Sequence, residues 1–316
     1  MSLFGNREGT VFGTKIGTQW PDDGGGASFS GILQDYVAAG GAAPAACWSM
    51  SHRLSSTYTG ALVRVRNATT AVQTDIGYDA VTNMIDVAAL SAALSGANGF
   101  VVTVYDQSGN GRDVTNATTS NQPKIWDSAT GHQVVSSLPV TVHTASHYLS
   151  RGDTCGLTGA QGITLFSWYQ HTALAADCTP FAVGGAGAGT TWRVWARAVD
   201  STYAIGHSSG DALSRNFSPL VSITEAGYTV AKRAASSNVT AAVFRRNGTV
   251  LTQFDADSST LTLGATGTAL GANLNTFGFR FVGNFSTMIL IGEDAAAGPL
   301  AALEAFGEGL NALAGL

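Results

Sequence analysis

The run Trp192-Arg193-Val194-Trp195-Ala196-Arg197-Ala198 carries the most evident binding chemistry in this chain. In an extended strand successive side chains alternate between faces. Trp192, Val194, Ala196 and Ala198 therefore share one face, which reads as core, and Arg193, Trp195 and Arg197 share the other. An indole flanked by guanidinium groups can stack on a sugar ring and clamp a carboxylate or sulfate, because arginine donates paired hydrogen bonds to planar anions. The same side chains can instead lie against a neighbouring subunit, or cover the sheet with arginine stems stacked on Trp195. A second strand-like run, Phe277-Gly278-Phe279-Arg280-Phe281, sets three phenylalanines on one face and Arg280 on the opposite one.

Acid and metal chemistry is harder to find. The five glutamates are Glu8, Glu225, Glu293, Glu304 and Glu308, and no Asp or Glu occurs from Ser258 to Gly292. Glu293-Asp294 stands just before a helical C-terminal tail, where capping and the helix dipole explain it. Asp200 and Asp211 flank Ser208-Ser209-Gly210 and read as turn formers. Asp106, Asn110 and Asp113 offer oxygen ligands in a short loop, but their spacing is not that of an EF-hand and a hydrogen-bonded turn accounts for them. Arg151-Gly152-Asp153 likewise reads as a turn. The histidines, His143, His147 and His171 among them, lack metal-ligand spacing. Cys47, Cys155 and Cys178 suit packed, reduced thiols rather than a disulfide framework or a zinc site. No catalytic residue, metal or cofactor is assigned.

The elements that must position these groups are short strands separated by Gly, Asn, Asp and Ser. Ala61 to Arg66 alternates, Gly162 to Gln170 is β-branched and aromatic, and Thr287 to Ile291 reads as a buried strand. Arg246-Asn247-Gly248-Thr249 centres an Asn-Gly turn between two apolar runs, the preferred two-residue loop of an antiparallel hairpin. Helical spacing is confined to Phe29–Ala38, Asp86–Leu94 and the tail Pro299–Leu313. The reading is all-β: a two-sheet sandwich or jelly roll with a short C-terminal helix. Residues 1–45 are Gly-rich and form an N-terminal arm or linker, a possible docking segment, leaving 46–316 as the domain.

The 316 residues include 45% hydrophobic but only 12% charged side chains, about half the usual charged share. A surface of Ser, Thr, Asn, Gly and Ala suits packing into a larger assembly or contact with carbohydrate. A net charge of −5 with no basic run argues against a nucleic-acid partner. No apolar stretch is long enough to span a bilayer, and Met1 to Glu8 shows no start of a secretory signal. The Asn-x-Ser/Thr triplets then follow from a Ser/Thr-rich composition.

Three blocks in order carry a family resemblance: Cys47-Trp48-Ser49-Met50-Ser51-His52-Arg53 through Arg66, then Thr74-Asp75-Ile76-Gly77, then Tyr105-Asp106-Gln107-Ser108-Gly109-Asn110-Gly111. Together they resemble the catalytic domain of the fungal α-L-arabinofuranosidase B family, and they cover the first third of the domain. The resemblance implies a concanavalin-like (laminin-G-like) sandwich and retaining cleavage of arabinofuranosyl side chains by two carboxylates. It also sets Arg193 where the family has its nucleophilic Glu, and places the acid/base Asp between Phe277 and Asn284, where this chain has none. A vicinal cysteine pair of the family's sugar pocket has no match. If the strands carrying Arg193 and Arg280 are neighbours, as the family implies, Arg193, Trp195, Arg197 and Arg280 share the former catalytic face as a site for acidic glycan. Relatives with the Tyr105–Gly111 signature occur among bacteriophage structural genes.

The expectation is a non-catalytic virion protein of a phage or phage-like particle. It would decorate the head or tail, contact other virion proteins through the N-terminal arm, bind host-surface polysaccharide and form a homo-oligomer. An arabinofuranosidase-type hydrolase and a purely structural capsid or tail protein are the alternatives.

Overall fold

In the computed structural model, residues 31–173, 177–185, 189–198, 202–206, 214–218, 226–237, 241–253, 261–274 and 280–316 are described. Among these residues twenty strands join in one hydrogen-bonded sheet, its ladders antiparallel, folded into two facing layers. Alternation of apolar and polar side chains drives the folding: Val63 and Val65 are buried while Arg64 and Arg66 between them are partly exposed.

The first layer runs Gln73–Ile76, Val63–Asn67, Gly99–Val104, Val114–Thr115, Leu149–Arg151, Gly267–Leu270, Cys178–Gly184, Thr191–Arg197, Thr202–Gly206, Ser214–Ser218 and Thr252–Gln253. In the second, Gly283–Ile291 takes both Ala46–Ser49 and Thr141–His143 on one edge, and Ile163–His171, Ala226–Arg233, Val243–Arg246 and Thr249–Val250 follow on the other. Lys124–Asp127 pairs with a strand of each layer. So does the segment 249–253, through Thr249–Val250 and Thr252–Gln253. The sandwich is thus stitched along both sides, which leaves few open strand edges.

Between the layers lies the main core, with Val63, Val65, Val101, Val194 and Ile205 from one and Leu165, Ala231, Phe244, Met288 and Leu290 from the other. A second apolar layer covers the back of the second sheet. There α3 (Ala297–Leu313) packs Leu303, Phe306 and Leu310 over Phe166, Tyr228 and Ile289. Gly307 is required at this crossing, since a Cβ would collide with the Tyr228 ring. Full burial of each such side chain contributes roughly 1.5–3 kcal/mol.

The expected all-β architecture with its C-terminal helix is the one found. The Asn-Gly hairpin forms with Asn247 and Gly248 both at positive φ, 46° and 74°. The middle helix is α2 (Val87–Leu94), started by Asp86, whose carboxylate accepts from Ala89 N. In the stretch read as an arm, α1 (Ile32–Ala38) packs Ile32, Leu33 and Tyr36 against the cluster under α3. Glu293 fastens it further, accepting from the Tyr36 hydroxyl at 2.8 Å and Ala42 N at 2.6 Å. Glu293 and Asp294 therefore do not cap α3, contrary to the sequence reading. Its N-cap, Ala296, makes no side-chain cap bond, and Asp294 pairs with Lys232 instead.

Candidate functional site

Pairing register places one row of side chains across the outer face of the first layer: Asp75, Arg64, Thr103, Thr115, Ser150, Ala269, Ala182, Arg193 and Gly206. Trp195 follows Arg193 on the same face, as the alternation requires. The row begins exposed and ends buried.

At the buried end Arg193 and Trp195 each retain 1% of their exposure. The Arg193 guanidinium lies over the Trp195 ring, 3.1 Å from its centroid. Gly206, across the ladder from Arg193, makes the stack possible, because a Cβ there would come within 2.7 Å of the indole. Arg197, at the strand end, is half-buried beside Thr202. Of the four expected glycan contacts, then, two form an internal stack, and this structure offers neither to a sugar.

Arg280 is elsewhere. It bridges Thr179, on the strand preceding Thr191–Arg197, and its guanidinium sits 4.3 Å from the Tyr148 ring centroid while donating to the Ser146 carbonyl. Cys178–Gly184 separates it from Arg193, so the four residues do not form one cluster. The expected strand around it falls partly on residues 275–279, outside the described residues, as do Asp200 and Asp211.

The Tyr105–Gly111 loop braces a corner. Asp106 is buried and accepts from Cys47 N, Ser108 N and Oγ, and Arg112 N, while Asp113 accepts from Asp106 N. Gln107 bonds Leu54 N and the His52 carbonyl, and Asn110 reaches the carbonyls of Pro44 and Ala45. The carboxylates of Asp106 and Asp113 thus accept from backbone amides and the Ser108 hydroxyl, and among the described residues no group of three His, Cys, Asp or Glu could hold a metal. Arg151 and Asp153 pair with each other.

Other described carboxylates are similarly engaged. Glu304 pairs with Arg245, Glu308 accepts from the Tyr228 hydroxyl, Asp127 from Lys124 and Asp177 from Ala198 N. Asp75 accepts both Nε and Nη2 of Arg64, at 2.7 and 2.9 Å, plus the Tyr105 hydroxyl at 2.7 Å. The Arg64 bond is the main reason its carboxyl is held below the usual carboxylate range. Among the described residues Asp35 on α1 has no such partner.

Burial keeps three titratable groups, His143, His171 and Cys178, neutral. Burial pushes His143 and His171 down to about 3 and raises Cys178 to about 12, so the 3.3 Å Cys178 Sγ to His171 Nδ1 contact joins a thiol to a neutral imidazole. All three cysteines are free and buried.

Residues 34–151 match the family of alpha-L-arabinofuranosidase B catalytic domains. Among solved structures, a GH54 α-L-arabinofuranosidase soaked with a cyclic sulfate inhibitor is 14% identical, with a TM-score of 0.63 over 90% of this chain and 65% of that one. A Glu-to-Gln mutant soaked with 4-nitrophenyl α-L-arabinofuranoside, also 14% identical, gives 0.64 over the same shares. An arabinofuranosidase complexed with arabinofuranosyl-α-1,2-xylobiose gives 0.63 at 14% identity, again over 90% of this chain and 65% of that one. The fold of this chain is the arabinofuranosidase fold, and the chain spans 65% of the length of these enzymes. No curated protein matches it. The family match ends at Arg151, before Arg193 and before the segment Phe277–Asn284. It therefore covers the scaffold and its braced corner, not the strands to which the resemblance assigned catalysis.

What sequence reasoning missed lies at the exposed end of the outer face. Arg64 and Arg66, on one face of Val63–Asn67, meet Tyr105 and Phe100, with guanidinium carbons 5.9 and 5.2 Å from the ring centroids. The alternation of Val63-Arg64-Val65-Arg66 was a legible signal of that face. The aromatic partners come from another strand and needed the register.

Proposed function

We propose that this chain is a carbohydrate-binding domain on an arabinofuranosidase scaffold that does not use the family's hydrolytic chemistry. The observation that carries it is Arg193. Where the resemblance expects a nucleophilic glutamate, a buried guanidinium is stacked on Trp195, and a cation cannot attack an anomeric carbon. A retaining glycosidase needs two carboxylates about 5 Å apart with matched pKa values, whereas nearly all the described ones are committed to structural bonds.

Incubation with 4-nitrophenyl α-L-arabinofuranoside, together with binding isotherms on plant and bacterial polysaccharides, tests the reading. Binding without release of 4-nitrophenol is expected. Turnover abolished by one carboxylate substitution would instead establish the hydrolase, the reading favoured by the match over 34–151. Asp200, Asp211, Glu225, Asp255 and Asp257, all outside the described residues, are the positions to change first.

The proposal extends to placement. A low charged fraction and a Gly-rich N-terminal segment support a subunit of a phage or phage-like virion, homo-oligomeric and displayed toward host-surface glycan. Mass spectrometry of purified particles tests this, since absence of the chain from the particles would remove it.

A further inference from the structure

We propose that the exposed end of the outer face, centred on Arg66, binds the carboxylate of an acidic polysaccharide. The inference rests on the carbohydrate-binding reading above and supplies its ligand class and its site.

Two rows of side chains converge there. Gln73, Arg66, Phe100 and Lys124 are cross-strand neighbours in one row, and Asp75, Arg64, Thr103 and Thr115 in the next. Among these cations Arg64 is paired with Asp75 and Lys124 with Asp127. Arg66 has no carboxylate partner among the described residues. It is also fixed in direction. Its guanidinium lies over Phe100, and its Nε donates at 2.8 Å to Gln122 Oε1, itself buried and anchored through Nε2 to the Asn116 carbonyl.

A guanidinium held through its Nε and one ring face keeps its two terminal nitrogens for an incoming planar anion, and little side-chain entropy is left to lose on binding. The surrounding groups suit the rest of a sugar. The Thr103 and Thr115 hydroxyls, 3.2 Å apart, and the carboxylates of Asp75 and Asp127 can bond ring hydroxyls, and the Tyr105 ring offers an apolar surface. A phosphate-tracking polymer fits poorly. A single uncompensated cation among the described residues of this cluster, on a chain of net charge −5, cannot neutralise a run of phosphates.

Affinity electrophoresis and calorimetry of the full chain against polygalacturonate, and against neutral arabinan, test the site. Polygalacturonate is expected to bind with a salt-sensitive affinity that falls about tenfold in Arg66→Ala. Arg66→Lys should restore it only in part, since it keeps the charge and loses the fork. Arg66→Gln guards against a folding defect in Arg66→Ala, because it can still donate to Gln122 and must show the same loss at an unchanged melting temperature. Wild-type affinity for polygalacturonate in Arg66→Ala and Arg66→Gln would remove Arg66 from the site, and binding of arabinan alone would overturn the ligand class. Either of those results leaves the carbohydrate-binding reading standing. Failure to bind either polymer overturns the site, and release of 4-nitrophenol besides would overturn that reading too.

Discussion

The two ends of the first layer's outer face carry the same chemistry in opposite states. At one end Arg193 lies on Trp195 with 1% of each side chain exposed. At the other, Arg64 and Arg66 lie over Tyr105 and Phe100, and the Arg64 and Asp75 side chains are 42% and 45% exposed. Arginine over an aromatic ring is therefore not in itself a binding site. Buried, it holds a sheet together, because a desolvated cation with its contacts removed is costly. Exposed, the same pair stabilises little, and at Arg66 the terminal nitrogens stay available for a ligand.

The sharpest way to break this comparison is at the buried end. Trp195→Ala should destabilise the fold by roughly 3–5 kcal/mol, read as a large drop in urea midpoint, and a shift under 1 kcal/mol would mean the stack is not structural. Gly206→Ala, which drives a methyl into the indole, should cost roughly 1–3 kcal/mol by overpacking. Unchanged stability there would show that the ring can move aside and that the closed end can open.

Acid should next separate the core between the layers from the open end of the outer face. His143 and His171 are held neutral by burial, with pKa values pushed from 6.5 to about 3, and both rings pack around Phe281 near Arg280. An unfolded chain binds protons at 6.5 that the folded one refuses. Their contribution is thus complete above that pH and falls as pH drops toward 3, by up to about 1.4 kcal/mol per unit for each histidine. Hydrogen exchange between pH 6.5 and 4 should accelerate around Phe281. Asp75, whose carboxyl is depressed, contributes above the ordinary carboxylate range and loses that contribution only as pH falls through its lowered folded value. Equal acceleration around Phe281 and around Asp75 over that window would contradict the assignment.

Tyr36→Phe removes one bond to Glu293 and should cost about 1 kcal/mol, measured by thermal unfolding. It marks how firmly α1 is fastened. Smallest of all, Arg64→Ala should change stability by less than about 1 kcal/mol, because an exposed ion pair is screened and pays for its own ordering. A larger loss would make the open end structural as well.

Much of the scaffold was legible from local pattern. The Asn247-Gly248 turn, the α2 start at Asp86 and the strand at Thr191–Arg197 each depend on residues close in sequence. The Tyr105–Gly111 loop was legible as a hydrogen-bonded turn for the same reason, since Asp106 turns back on Ser108 and Arg112. Glu293 was misread because its partners, Tyr36 and Ala42, lie more than 250 residues away. Arg280 was misplaced because a strand's neighbour is a matter of sheet order, which alternation does not encode.

By itself the chain specified which side chains share a face, where turns fall and that the fold is a β-sandwich, because period-two alternation and turn chemistry act over a few residues. Only the tertiary structure decided which half of the outer face is open. Exposure depends on what long-range pairing lays over each strand, so Arg193 and Arg66, alike in the sequence, became an internal brace and a partly exposed fork.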